Sequence, residues 1–88
     1  MSIYTIEVVV LPLPALLDPQ GEAIQQALHR LGETAIRNVR AGRAFILTIE
    51  ASSSEAALSR AQTAAQKLLY NPIVETYHIR LLSPSPTG

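Results

Sequence analysis

The sequence predicts an α+β fold whose segments follow the order β-α-β-β-α-β. Apolar residues alternate every second position in four stretches, recur every three to four positions in two longer ones, and are separated by glycine, proline or serine. The chain has 88 residues, of which 48% are hydrophobic and 16% charged, the balance of one globular domain. We expect this domain to span residues 1–82 and a disordered Ser/Pro tail to occupy residues 83–88.

The first strand and first helix have clear sequence boundaries. Residues 2–11 alternate between two faces, and Pro12 ends the strand because proline lacks an N–H for the ladder. Asp18 is a preferred N-cap and Pro19 a preferred first helical residue. These two open the helix together with Gly21, and Gly32 stands where a C′ glycine would stop it.

The sequence after the first helix predicts three further strands and a second helix. A weaker strand at residues 35–40 would turn at a hairpin tip, residues 40–43, into a better strand at residues 43–50. Ser52 and Glu55 have capping-box spacing for a helix that runs to about Tyr70. Asn71 and Pro72 end this helix, and the last strand follows at residues 73–82. The helix face predicted to meet the sheet is rich in alanine. It is formed by Ala57, Ala61, Ala64 and Leu68, flanked by Leu58, Ala65 and Leu69.

With right-handed crossovers, this order gives a ferredoxin-like two-layer sandwich. A four-stranded antiparallel sheet would carry both helices on one face. We expect that face to hold Tyr4, Ile6, Val8 and Val10. The opposite face is half apolar, and a contiguous apolar patch indicates a partner. We therefore predict a dimer face there, with the residues Ile3, Thr5, Val9 and Ile46.

Composition excludes several classes of chemistry. Seven basic and seven acidic residues give a net charge of zero, which disfavours nucleic-acid binding. There is no cysteine, the four glycines are isolated, and neither histidine has a second ligand at metal-binding spacing. No catalytic, cofactor-binding or metal-binding residue is predicted.

Arg40 and Arg43 are the candidate partner contacts, because a projecting hairpin tip would offer two guanidinium groups to carboxylates. The alternative is a solvated turn. No apolar stretch has the roughly 20 residues that a membrane span needs, and no signal peptide is evident, so we expect a cytoplasmic protein with no membrane partner.

Five short motifs together resemble one family. They are Asp18-Pro19-Gln20-Gly21, Ala27-Leu28, Leu31-Gly32, Val39-Arg40-x-Gly42 and Lys67-Leu68-Leu69-x-Asn71-Pro72-Ile73-Val74-Glu75-x-Tyr77. Their order and spacing, over about residues 3 to 82, are similar to those of the PurS family. This family comprises the small subunits of phosphoribosylformylglycinamidine synthase, also called formylglycinamide ribonucleotide amidotransferase.

The resemblance implies an accessory, assembly-promoting subunit of an ATP-dependent, glutamine-using ligase in de novo purine biosynthesis. Its partners would be a large synthetase subunit, a glutaminase subunit and further copies of itself, as a dimer or tetramer. ATP and magnesium would belong to the large subunit. The alternative is an ACT-type regulatory domain, which has the same element order but favours a glycine-bearing loop after the first strand. RNA binding is disfavoured, because the open-face positions carry no stacking aromatics.

Overall fold

The computed structural model describes residues 1–83, which form a three-stranded antiparallel sheet and two helices. The strands are β1 (Ser2–Pro12), β2 (Arg43–Ala51) and β3 (Glu75–Ser83). The helices are α1 (Pro19–Arg30) and α2 (Ser54–Ala64), and a π-helical turn at Ala65–Leu69 continues α2. Ser83, which was expected to belong to the tail, is part of β3, and the rest of the expected tail, residues 84–88, lies outside the described residues.

The predicted four-stranded sheet is wrong, because the described chain has the order β-α-β-α-β and the sheet order β2-β1-β3. Residues 35–40 form no strand. The carbonyl oxygens of Ile36 and Arg37 accept hydrogen bonds from the side chains of His29 and Gln25 on α1, at 2.6 and 3.1 Å. These bonds tie the segment to α1 and not to a neighbouring strand. Residues 40–43 are consequently not a hairpin tip.

The face predicted to be covered by helices is confirmed for β1. Tyr4, Ile6, Val8 and Val10 are all buried. Ile6 and Val8 in the middle of the strand have partly buried apolar partners on both neighbouring strands. Helix α2 covers them with alanines, whose small side chains allow the helix to lie close to the sheet. The three alanines that reach complete burial are Ala57, Ala61 and Ala65.

The π-helical turn changes which residues of the second helix face the sheet. The last of the buried alanines, Ala65, is the first residue of this turn. The amide of Tyr70 donates to the Ala65 carbonyl oxygen at 3.3 Å, five residues back, and this wider turn keeps the apolar side toward the core. Leu68 is therefore 84% exposed and Leu69 turns inward. The predicted face is confirmed at Ala57 and Ala61 and wrong at Leu68.

Helix α1 does not pack on the sheet, so the expectation of two helices on one face is also wrong. Its only buried residue is Gly21. Ile24 is 41% exposed, and Leu31, which directly follows the helix, is 78% exposed. The Cα radius of gyration is 16.3 Å, against about 12 Å for a compact chain of this length. Helix α1 thus extends from the body formed by the sheet and α2.

The predicted caps of α1 are confirmed. The Asp18 carboxylate accepts from the amide of Gly21 at 3.0 Å, and Pro19 occupies the first helical turn. Gly32 has a φ of +97°, a conformation that favours glycine. Its amide donates to His29 and that of Glu33 to Leu28, at 3.0 and 2.9 Å, which is a Schellman C-cap.

The second helix begins one residue later than predicted. Its C-terminal end agrees with the prediction. Ser53, not Ser52, is the N-cap, because its hydroxyl accepts from the amide of Ala56 at 3.1 Å. After Tyr70 the chain turns at Asn71 and Pro72. The Asn71 side chain accepts from the Ile73 amide at 3.1 Å, and its carbonyl accepts from the Glu75 amide at 2.8 Å.

Candidate functional site

Arg43 and Glu75 form a two-pronged ion pair across the end of the central strand. The two N–O distances are 2.6 and 2.8 Å, and Arg43 also donates to the carbonyl oxygen of Leu69 at 3.0 Å. Glu75 lies opposite Pro12 of β1, where proline supplies no N–H to the ladder. The pair therefore fastens both edge strands and the end of the π-helical turn where the ladder itself is weakest.

The electrostatics of this pair follow from its hydrogen bonds. Those from Arg43, and then one from the Asn71 amide, hold the pKa of Glu75 below its ordinary value, because they favour the charged carboxylate. The same contact raises the pKa of Arg43. The sequence suggested Arg43 as a partner contact. In the structure its guanidinium is hydrogen-bonded to Glu75 and Leu69 of the same chain.

A second set of polar contacts fixes residues 36–41, which we call the strap. Besides the two bonds from His29 and Gln25, the Asp18 carboxylate accepts from the strap amide of Ala41 at 2.8 Å. His29 must carry its proton on Nε2 here, since a carbonyl oxygen can only accept. Hydrogen bonds from Gly21 and then Ala41 lower the pKa of Asp18.

Two arginines stand on the strap. Arg37 is exposed and Arg40 is half-buried. Within residues 1–83, the Nη2 atom of Arg40 is enclosed and has no hydrogen-bond partner. Arg40 borders a groove of about 330 Å³ beside the first turn of α1, and Asp18 and Glu22 line the same groove.

The uncovered side of the sheet, which we call the open sheet face, carries the residues predicted as a dimer face. In register, Glu7 pairs with Ile46 and Val9 with Ala44, and Ile46 is 58% exposed. Arg80 reaches Glu7 across the face at 3.2 Å. Ile3, Thr5, Val9 and Ile46 do share this side of the sheet, and their contact with a second copy stays a prediction.

Sequence reasoning missed three of the side chains that organise these surfaces. Glu75 lies 32 residues from Arg43, so no local spacing pairs them, although its position four residues after Asn71 fits the observed turn. His29 and Gln25 lie one helical turn apart, and this spacing places them on one side of α1.

Two general properties of the described residues bear on the kind of site. Across residues 1–83, no group of three or more histidine or acidic side chains is placed to hold a metal ion. None of the helices in that range has the length and apolarity required to cross a bilayer. The polar contacts described above serve as caps, as ion pairs and as anchors of the strap.

Comparison with known proteins gives the family of this chain. The family model described as PurS, phosphoribosylformylglycinamidine (FGAM) synthase, matches residues 5–83. The PurS subunit of phosphoribosylformylglycinamidine synthase from Bacillus subtilis is 36% identical over 74 residues, which cover 84% of this chain and 87% of that subunit. The chain belongs to the PurS family of phosphoribosylformylglycinamidine synthase subunits.

Solved structures agree. A chain in the structure of PurLQS from Thermotoga maritima matches with a TM-score of 0.86 and 30% identity, over 93% of this chain and 100% of that one. PurS from Methanocaldococcus jannaschii, a subunit of formylglycinamide ribonucleotide amidotransferase in purine biosynthesis, matches with a TM-score of 0.79 and 26% identity, over 91% and 96%. The resemblance drawn from the sequence motifs is confirmed, and it displaces the ACT-type alternative.

Proposed function

We propose that this chain is the assembly-promoting subunit of its phosphoribosylformylglycinamidine synthase and brings the glutaminase and synthetase subunits together for ammonia transfer. One observation carries the proposal. The Thermotoga maritima chain, matched over 100% of its length, is part of a PurLQS assembly. A chain of the same shape has the surfaces needed to fit the same kind of assembly.

The proposal divides the chemistry among the subunits. ATP and magnesium bind to the large synthetase subunit, and the glutaminase subunit releases ammonia from glutamine. This chain binds neither cofactor and acts by contact alone, as an oligomer of its own copies in the cytoplasm. The open sheet face and the exposed side of α1 are the surfaces available for self-association, since large apolar side chains on both are uncovered.

Reconstitution tests the proposal. The chain is mixed with the synthetase and glutaminase subunits of the same organism, and product formation is measured with glutamine or with ammonium as the nitrogen source. We expect glutamine-dependent synthesis to need the chain, whereas ammonia-dependent synthesis by the large subunit depends on it much less. Equal glutamine-dependent rates with and without the chain would contradict the proposal, as would glutamine hydrolysis by the chain alone.

A further inference from the structure

We propose that the strap presents Arg37 and Arg40 as a basic docking strip for carboxylates on a partner subunit. The inference rests on the proposed assembly function and names the surface that would serve it. Arg40 was already a candidate from the sequence, whereas Arg37 enters only through the structure.

The first support is the way in which the strap is held. It has no regular secondary structure, yet side chains from α1 and from the N-cap fix its backbone at Ile36, Arg37 and Ala41. An irregular segment fixed by hydrogen bonds from its neighbours displays its side chains in set positions, as binding loops on rigid scaffolds do. A segment whose backbone is already ordered loses less conformational entropy when a partner binds.

The second support is the distribution of charge. Four of the seven basic residues fall between positions 30 and 43, and Glu33 is the only acidic residue in that interval. Of these four, Arg43 is neutralised by Glu75. Within residues 1–83, no carboxylate oxygen lies within 4.0 Å of Arg37 or Arg40. The strap thus carries a local positive charge, which Asp18 and Glu22 in the groove beside Arg40 offset in part.

The chemistry favours a protein carboxylate over a phosphate polymer. The exposed guanidinium of Arg37 can match a carboxylate with two parallel N–H donors, whereas Nη2 of Arg40 is enclosed and Arg40 contributes its charge. Asp18 and Glu22 line the groove beside Arg40, and their charges repel a polyanion more strongly than a single carboxylate. The whole chain has a net charge of zero, which gives a nucleic acid little long-range attraction.

Charge reversal tests the strip. The first variant, Arg37→Glu, changes an exposed residue. A second variant combines it with Arg40→Gln. The matched control is Arg60→Glu, on the exposed side of α2. Affinity for the partner subunits is measured by sedimentation at 50 and 300 mM salt. We expect Arg37→Glu to weaken binding by about tenfold or more and to flatten its salt dependence. Arg60→Glu should stay within about twofold of wild type.

Several outcomes would overturn the inference. Wild-type binding that Arg37→Glu leaves unchanged would remove the strip while leaving the assembly role intact, and an equal loss with Arg60→Glu would show a general charge effect. If single-stranded RNA binds the wild type but not Arg37→Glu, the ligand of the strip is a polyanion and not a protein carboxylate. Failure of the wild-type chain to join its partners would instead remove the proposed function. Circular dichroism melting confirms that each variant is folded.

Discussion

Arg43 connects parts of the molecule that no backbone hydrogen bond joins directly. Its guanidinium holds Glu75 of β3 and the last carbonyl of the π-helical turn, while its own backbone belongs to β2. The pair is partly exposed on the arginine side and more enclosed on the glutamate side, with side-chain exposures of 48% and 17%. The contribution of the pair to stability therefore depends on whether the Glu75 carboxyl group is charged.

The low pKa of Glu75 makes stability depend on pH. Because the folded chain favours the carboxylate, the contribution of the pair is complete above the ordinary carboxyl pKa of about 4 and is lost as the pH falls through the lower folded value. We expect the urea midpoint to fall on acidification below about pH 4.5, and Glu75→Gln to start lower at neutral pH and to fall less.

The matched control for this pH profile is Glu33→Gln, which removes one carboxylate at an exposed position of the chain. It should keep the acid-induced fall of the wild type. If the urea midpoint of Glu75→Gln equals that of the wild type at every pH, the ion pair does not stabilise the fold.

Local signals explain which residues could be predicted. Asp18, Pro19 and Gly32 act within one helical turn of their own positions, so their spacing was enough to predict their capping roles. The pairing of Arg43 with Glu75 depends on the strands meeting in three dimensions. No comparable local signal exists for it, and the sequence therefore suggested a free Arg43.

At the scale of elements, the start of α2 gives a sharp test. The structure assigns the N-cap to Ser53 through its bond to the Ala56 amide, whereas the sequence suggested Ser52. Ser53→Ala should lower the free energy of unfolding by about 1 kcal/mol, because the amide loses its acceptor. Ser52→Ala should change it by less than about 0.5 kcal/mol. Urea unfolding measures both, and the reverse ranking would move the cap to Ser52.

The elements that were predicted wrongly share one physical cause. Residues 35–40 have a weak strand pattern, but their carbonyls at Ile36 and Arg37 are satisfied by α1 side chains. Leu68 fits an α-helical stripe, but the π-helical turn rotates it outward. In both cases a contact specific to this chain overrode a periodic pattern, which reports average geometry alone.

For the whole molecule, the open sheet face makes a prediction about self-association. Ile46→Lys places a charge in the apolar part of this face, where the side chain is 58% exposed. We expect fold stability to stay within about 0.5 kcal/mol and sedimentation at micromolar concentration to shift toward smaller species. Gln62→Lys, on the exposed side of α2, adds the same charge elsewhere and should sediment like wild type.

The prediction has a clear contrary result. A wild-type chain that sediments as a 9.5 kDa particle would show that the open sheet face does not mediate self-association under these conditions. Association that Ile46→Lys leaves unchanged would shift attention to the exposed apolar side of α1.

The detached position of α1 bears on the life of the chain before assembly. A helix of 12 residues is marginal in water when no apolar partner covers it, and here its caps and the strap supply most of the support within one copy. A copy made in excess of its partners would open most easily at this helix and be cut there by proteases. Assembly would then protect the subunit from proteolysis. The amount of this subunit in the cell would follow the amount of its partners.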